Sequence, residues 1–377
     1  MKDELLGFLC CPACRADLEL RKARVWTGSG NGDGQEEVAE GVLGCTGCGR
    51  AYPVLDGIPR LCEHLWEEEV RALGRFRRVG RVATEPRPET PRADVYVRIE
   101  ELVRRKLQLP DNASRYLEER VENDVYFRVR GCERQEKYVN TLRLHCDAQI
   151  RSVLDVGGGQ GGLMKCLGEH LRPSVSVLLD RDLSWLDVAR LRNPGAEVVR
   201  ADAAALPFKR SSMDLVISQS LLEHVEDHDK ALAEMCEVAR ETLFVCFGPN
   251  KPSVYDFGHL DAPVTVFPKS VRKYVAILWH RVRRTGRSTD SIVSELDRTW
   301  YISTSHVRKI LERYGEVRNV FRDFVLFSAQ SDYAYGMGKF TRYLRNHPSL
   351  MKSLCDLLVW LRVEPQSYYI LRKVQGR

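Results

Sequence analysis

The stretch VLDVGGGQGG at residues 153–162 narrows the folds open to this chain more than any other segment. Val153, Leu154 and Val156 read as a strand entering a core, and five glycines in the next six residues permit a turn that residues with side chains resist. The following GLMKCLGEHL has helical periodicity. Strand, glycine turn and helix in this order open a βαβ unit. Gly157, Gly159 and Gly162 also satisfy GxGxxG, which by itself fits a nicotinamide or flavin site. Further along, VSVLLD, AEVVRAD, MDLVIS and TLFVCFG read as strands, with SWLDVARLR and DHDKALAEMCEVAR as interleaved helices. This alternation predicts an α/β fold on a largely parallel sheet.

Cysteine spacing marks a second region. Cys11 and Cys14 enclose two residues, as do Cys45 and Cys48. Paired knuckles of this kind offer four thiolates to one tetrahedral zinc, with Zn–S distances of about 2.3 Å. In a segment too short for a core of its own, the metal would supply much of the folding free energy. Cys10 is adjacent, but only Cys11 has the two-residue spacing to Cys14. The alternative is a redox dithiol in CPAC, a motif expected between a strand and a helix. The matching second pair favours structural zinc.

At 377 residues the chain exceeds one ordinary core. Residues 1–62 hold both cysteine pairs, with GSGNGDGQ as a loop between them. Residues 63–133 read as a linker, around TEPRPETPRAD, and a helical lead-in in which Val95, Ile99, Leu102 and Val103 share a face. Residues 134–377 form the main domain, with a cap at 249–300 and a helical insertion at 337–362. Tyr138, Leu142 and Cys146 share a helix face at its start. A composition of 44% hydrophobic and 29% charged residues is that of a globular protein, and a net charge of +6 does not by itself imply nucleic acid. No apolar run approaches the roughly 18 residues of a transmembrane segment. MKDELLGFLC carries acids where a signal peptide needs a basic start, so the expectation is a reducing, cytoplasmic setting.

LLGFLCCPACRADLEL followed by LGCTGCGRAYPVLDGIPRL resembles the small zinc module that serves as activating subunit of several RNA and protein methyltransferases. DxGxGxG at Asp155–Gly161, together with RADAAALPF, resembles class I S-adenosylmethionine-dependent methyltransferases of the type 11 group. The resemblance implies a Rossmann-like class I methyltransferase sheet with a small N-terminal zinc-binding domain. It also implies that Gly157, Gly159 and Gly161 let the backbone approach the cofactor and that Asp155 helps hold its amino acid moiety. By the same resemblance Asp180 takes the ribose hydroxyls, Asp202 and Ala203 flank the adenine, and Gln219 and Ser220 lie near the methionine portion. The cofactors implied are S-adenosyl-L-methionine and a structural Zn(2+) held by Cys11, Cys14, Cys45 and Cys48.

Methyl transfer is an in-line displacement that depends chiefly on alignment. A general base matters most for a hydroxyl acceptor, and His259 in YDFGHLDAP and His224 in LLEHVED are the candidates. LPF, LLEHV and GHLD resemble enzymes acting through oxygen or nitrogen on small-molecule or glycan-type acceptors. RNA is the runner-up acceptor, although SQSL stands where an NPPY-type stretch would support amino-group methylation. A scaffold that binds cofactor without turnover is a third reading. KSVRKYVAILWHRVRRTGR carries seven Lys and Arg and no acid, with Val271, Tyr274, Val275, Leu278 and Val282 at helical spacing. That pattern fits either peripheral contact with acidic lipid or RNA, or an ordinary helix packed on the domain.

Overall fold

The computed structural model describes residues 1–27, 36–76, 82–86, 131–146, 149–248, 250–251, 264, 267–282, 288–330, 346–361 and 367–373. The chain divides into two compact units, residues 1–136 with 149–216 and residues 137–148 with 217–377.

In the first unit β1 (Leu18–Thr27), β2 (Glu37–Cys45), β3 (Ala51–Leu55) and β4 (Ile58–Leu61) form an antiparallel meander. Asp56 and Gly57 join β3 to β4 with φ of 50° and 75°. Asp-Gly suits the left-handed two-residue hairpin turn required there. Helix α1 (Glu67–Phe76) follows, and β5 (Ala83–Pro86) pairs in parallel with β1. The stretch read as a linker therefore begins as an edge strand, and prolines are tolerated at such an edge. Its remainder and the 95–103 face lie outside the described residues, as does the 28–35 loop. Helix α2 (Gly131–His145), which belongs from Lys137 onward to the second unit, leads to β6 (Ser152–Val156), α3 (Gly162–Leu171), β7 (Val175–Asp180), α4 (Leu183–Arg192) and β8 (Glu197–Ala201).

The strand order in this unit is β6-β7-β8-β4-β3-β2-β1-β5. β6, β7 and β8 run parallel, and β4 joins β8 in parallel with Arg60 opposite Arg200. The cysteine module thus continues the central sheet. All five residues of β6 are buried, as expected for a strand covered on both faces. At its start the Asp214 carboxylate accepts the N–H groups of Arg151 and Ser152, and Ser152 Oγ accepts the N–H of Asp214, each at 2.9 Å.

Strand β9 (Met213–Gln219) carries the chain into the second unit. There follow α5 (His228–Val238), β10 (Ala239–Phe247), β11 (Asn250–Lys251), α6 (Lys269–Val282), α7 (Thr289–Arg298), β12 (Ile302–Ser303) and α8 (Thr304–Leu311). The unit ends with β13 (Gly315–Asn319), α9 (Phe321–Gln330), α10 (Pro348–Leu361) and β14 (Ser367–Lys373). β14 lies antiparallel between β13 and β10. EVRNVFRDFVLF reads in sequence as strand material; its start lies in β13, but FRDFVLF is helix α9. Its apolar residues also fit helical spacing: Phe321 and Phe324 are both buried, three apart on one face. Phe324 stacks on Tyr368 at 3.9 Å and meets Tyr138 of α2 edge-on at 4.7 Å. Among the described residues no helix is long and apolar enough to cross a membrane.

Candidate functional site

Asp155 and Asp180 lie at the carboxyl ends of β6 and β7, and Asp202 follows β8 directly. Because these strands are adjacent and parallel, the three carboxylates line one edge of the sheet, where open α/β sheets take their ligands. Asp155 is 1% exposed, and its Oδ2 has no hydrogen-bond partner among the described residues. Burial, reinforced by neighbouring Asp180, pushes this carboxyl up to about 7. A buried acid with an unpartnered oxygen costs stability.

The glycine turn closes over Asp155. Gly157, Gly159 and Gly161 have φ of 73°, 53° and 76°. The left-handed residues are thus 157, 159 and 161, the DxGxGxG set, and Gly162 instead begins α3. Gly157 and Gly158 donate their N–H groups to Leu179 O at 2.8 and 3.1 Å, and Gly159 donates to Asp180 Oδ2 at 2.9 Å. A Cβ on Gly158 would fall 2.8 Å from Asp155 Oδ2. Buried Asn193 ties the turn down, Nδ2 donating to Gly161 O and Ala189 O at 3.0 Å each. Asn193 escaped the sequence reading. Its one signal is its place at the end of α4, where Asn commonly caps helices.

Asp202 Oδ1 accepts the N–H of Ala204 at 2.8 Å and caps a short 3-10 turn, Ala203–Ala205. The next residues are held by the cysteine module. Arg15 Nη1 donates to Leu206 O at 2.7 Å, Cys10 N–H to Pro207 O at 3.0 Å and Lys209 N–H to Phe8 O at 2.8 Å. Before Asp202, Arg200 is buried against Glu69 and stacks over the Trp66 ring at 3.6 Å.

Gln219, half-buried at the end of β9, belongs to the second unit. Ser220 has φ of 52° and donates its N–H to Cys246 O at 2.8 Å. His224 is exposed in a 3-10 turn, Leu222–His224. His259 lies outside the described residues. The N–H of Trp300 donates to Glu223 O at 2.7 Å, which brings the end of the expected cap against this turn. An open cleft of about 580 Å³ lies in the cap, lined by Arg272, Lys273, Val293, Leu296, Trp300 and Tyr301 among others.

The thiol sulfurs of Cys11, Cys14, Cys45 and Cys48 lie within 4.8 Å of one another. Cys11 and Cys48 are 3.8 Å apart, and Cys14 and Cys45 3.4 Å. Four thiolates tetrahedrally around zinc would be separated by about 3.8 Å, given Zn–S bonds of about 2.3 Å, so the cluster fits that ion. The knuckles repeat one geometry: Arg15 N–H bonds Cys11 O and Gly49 N–H bonds Cys45 O, with Arg15 and Gly49 both left-handed. Burial opposes ionisation of Cys45, but N–H donors from Cys48 and Gly47, with Cys14 beside them, lower that thiol, while the shared hydrogen bond pushes its coupled partner Cys14 up. A thiolate is the form a metal requires. Buried Cys10 stands outside the cluster.

Residues 154–246 match the methyltransferase domain family, and residues 2–57 match the Trm112p-like protein family. The two matches fall on separate stretches of the chain. It is 26% identical to a fatty-acid O-methyltransferase of Mycolicibacterium smegmatis over 179 residues, 47% of this chain and 64% of that one. It is 41% identical to a ubiquinone/menaquinone biosynthesis C-methyltransferase of Hahella chejuensis over 96 residues, 24% of this chain and 39% of that one. The chain thus spans less than two thirds of either relative. Among solved structures, the complex between the Haloferax volcanii Trm112 methyltransferase activator and its methyltransferase aligns with 68% of this chain and 94% of that chain, at 12% identity and a TM-score of 0.39.

Proposed function

We propose that this protein is an S-adenosylmethionine-dependent methyltransferase acting on an oxygen or nitrogen of a small-molecule or glycan-type acceptor, with structural zinc in its N-terminal module. The reading rests above all on Asp155, a buried carboxylate with an unsatisfied oxygen beneath a left-handed glycine turn. The relatives named for their acceptors, a fatty acid and the ubiquinone/menaquinone series, support a small molecule over RNA.

The cofactor, when bound, supplies an electrophilic sulfonium methyl group. Asp155 would hold its ammonium, and the glycine turn would admit its amino acid portion without side-chain obstruction. Asp180 would take the ribose hydroxyls; its Oδ1 accepts the backbone N–H of Asp182 and its Oδ2 that of Gly159. Asp202 and Ala203 would flank the adenine. Gln219 would line the methionine side, and His224 or His259 would take the acceptor's proton where it is a hydroxyl.

Calorimetric titration of the purified chain with S-adenosylmethionine and with NAD tests the cofactor assignment. Binding of the former, weakened by Asp180→Ala, is expected; preference for NAD overturns it. Radiolabel from the methyl group is then followed into small-molecule, glycan, lipid-linked and RNA fractions. Label in RNA, or on carbon, overturns the acceptor assignment.

A further inference from the structure

Helix α6 presents a row of apolar side chains to solvent. Val271, Tyr274, Leu278 and Val282 are 39%, 63%, 63% and 74% exposed. Their spacing of three, four and four residues keeps them on one face of an α-helix, over about 16 Å of axis. The helix is anchored through the opposite face. Ala276 is buried with Val264 and Ile292, and Val275, Ile277 and Trp279 pack beside them, together with Leu296 of α7 and Tyr301. Packing onto the unit therefore explains the second apolar set and not the first. Phe267, just before the helix, is also 36% exposed.

Charge identifies what the row meets. Lys269, Arg272, Lys273 and Arg281 lie on α6, and no Asp or Glu occurs between Asp261 and Asp290. Exposed Arg281 borders the apolar row, and Lys273, eight residues nearer the start, is exposed as well. Apolar residues that penetrate an interface, on a helix that carries cations and no acids, match an anionic lipid surface. A nucleic acid offers phosphates to the cations but nothing apolar for three aliphatic side chains in line. A second copy paired about a two-fold axis would set the same cations against each other.

We infer that α6 docks the protein on an anionic membrane surface through Val271, Tyr274, Leu278 and Val282, with the exposed Arg281 beside them on lipid headgroups. The neighbouring cleft carries Arg272 and Lys273 beside Leu296, Trp300 and Tyr301, so the docked helix brings a site for amphiphiles to the lipid. Docking requires neither cofactor nor turnover and stands independently of the proposed activity.

The full chain is sedimented with vesicles of phosphatidylcholine alone and of phosphatidylcholine mixed with phosphatidylglycerol, and is separately titrated with single-stranded RNA. Binding only to the mixed vesicles, falling as salt is raised, is expected. Leu278→Glu should lower it roughly tenfold or more, and Arg281→Glu should weaken it while leaving thermal unfolding unchanged, since both side chains are exposed. Vesicle binding that Leu278→Glu leaves intact overturns the proposal. So does RNA binding without vesicle binding, or a self-association that Leu278→Glu dissolves.

Discussion

The backbone N–H of Cys10 donates to the carbonyl of Pro207 at 3.0 Å. One residue later Cys11 enters the four-thiolate cluster, and five residues before Pro207 stands Asp202. Arg15 and Phe8 hold Leu206 and Lys209 on either side. The loop carrying Asp202 is thus braced by the first cysteine knuckle, whose shape depends on its ligands.

Loss of the metal should therefore reach the cofactor. Cys45→Ser, or removal of zinc by a strong chelator, is expected to lower metal content and to weaken S-adenosylmethionine binding about tenfold, near 1.4 kcal/mol. Metal analysis alongside calorimetry checks both. Undiminished cofactor affinity in metal-free protein would show that the β4 to β8 pairing alone secures the loop.

Asp155 gives binding and stability opposite responses to pH. Its carboxyl is raised from 3.8 to about 7 in the folded protein, so between those values the native state holds a proton that the unfolded chain has lost. Stability contributed by this group is therefore highest at low pH and falls as pH rises through that window, by up to about 1.4 kcal/mol per unit. A cofactor ammonium favours the carboxylate, so affinity should rise by up to about tenfold per unit until pH reaches about 7, then level off. Asp155→Asn should flatten both profiles, melt higher than the wild type above pH 7 and bind cofactor weakly. An unaltered affinity profile in that variant would remove Asp155 from the site.

Glu69 supports β8 from beneath. Its carboxylate meets buried Arg200 and also accepts the N–H of Trp66 at 2.7 Å. Glu69→Ala would strand a buried guanidinium and should cost about 3 to 5 kcal/mol in urea unfolding. Glu69→Gln, which keeps one acceptor oxygen and so one of the two bonds, should cost less. Equal losses would mean that packing, rather than charge, holds Arg200.

The parts of this molecule that follow from local pattern were legible in its sequence. VLDVGGGQGG announced strand, turn and helix, and Asp155 and Asp180 fall at adjacent strand ends because each closes a buried apolar run. The cysteines converge because their spacing builds two copies of one knuckle. Contacts joining distant segments carried no such signal. Arg200 with Glu69, Asn193 with Gly161, and Cys10 with Pro207 are separated by 131, 32 and 197 residues, and nothing in either partner names the other. FRDFVLF misled because a run of apolar residues fits either period until its neighbours are known. The α6 residues were seen at helical spacing, but only the folded unit separates the face that packs from the face that does not.

Two glycines near the site make opposite demands on an added methyl group. A Cβ at Gly158 would stand 2.7 Å from Leu178 Cγ and 2.8 Å from Asp155 Oδ2, whereas at Gly168, inside α3, it would meet nothing within 4 Å. Gly168→Ala should stabilise the protein by about 0.4 to 1 kcal/mol by restricting the unfolded chain, with cofactor affinity unchanged. Gly158→Ala should destabilise it by about 1 to 3 kcal/mol through overpacking and, by displacing the Asp155 carboxylate, weaken cofactor binding as well. Thermal unfolding and calorimetric titration of the two variants side by side separate these effects. Cofactor affinity that survives Gly158→Ala would mean that the carboxylate position beneath the glycine turn is not what the ligand reads.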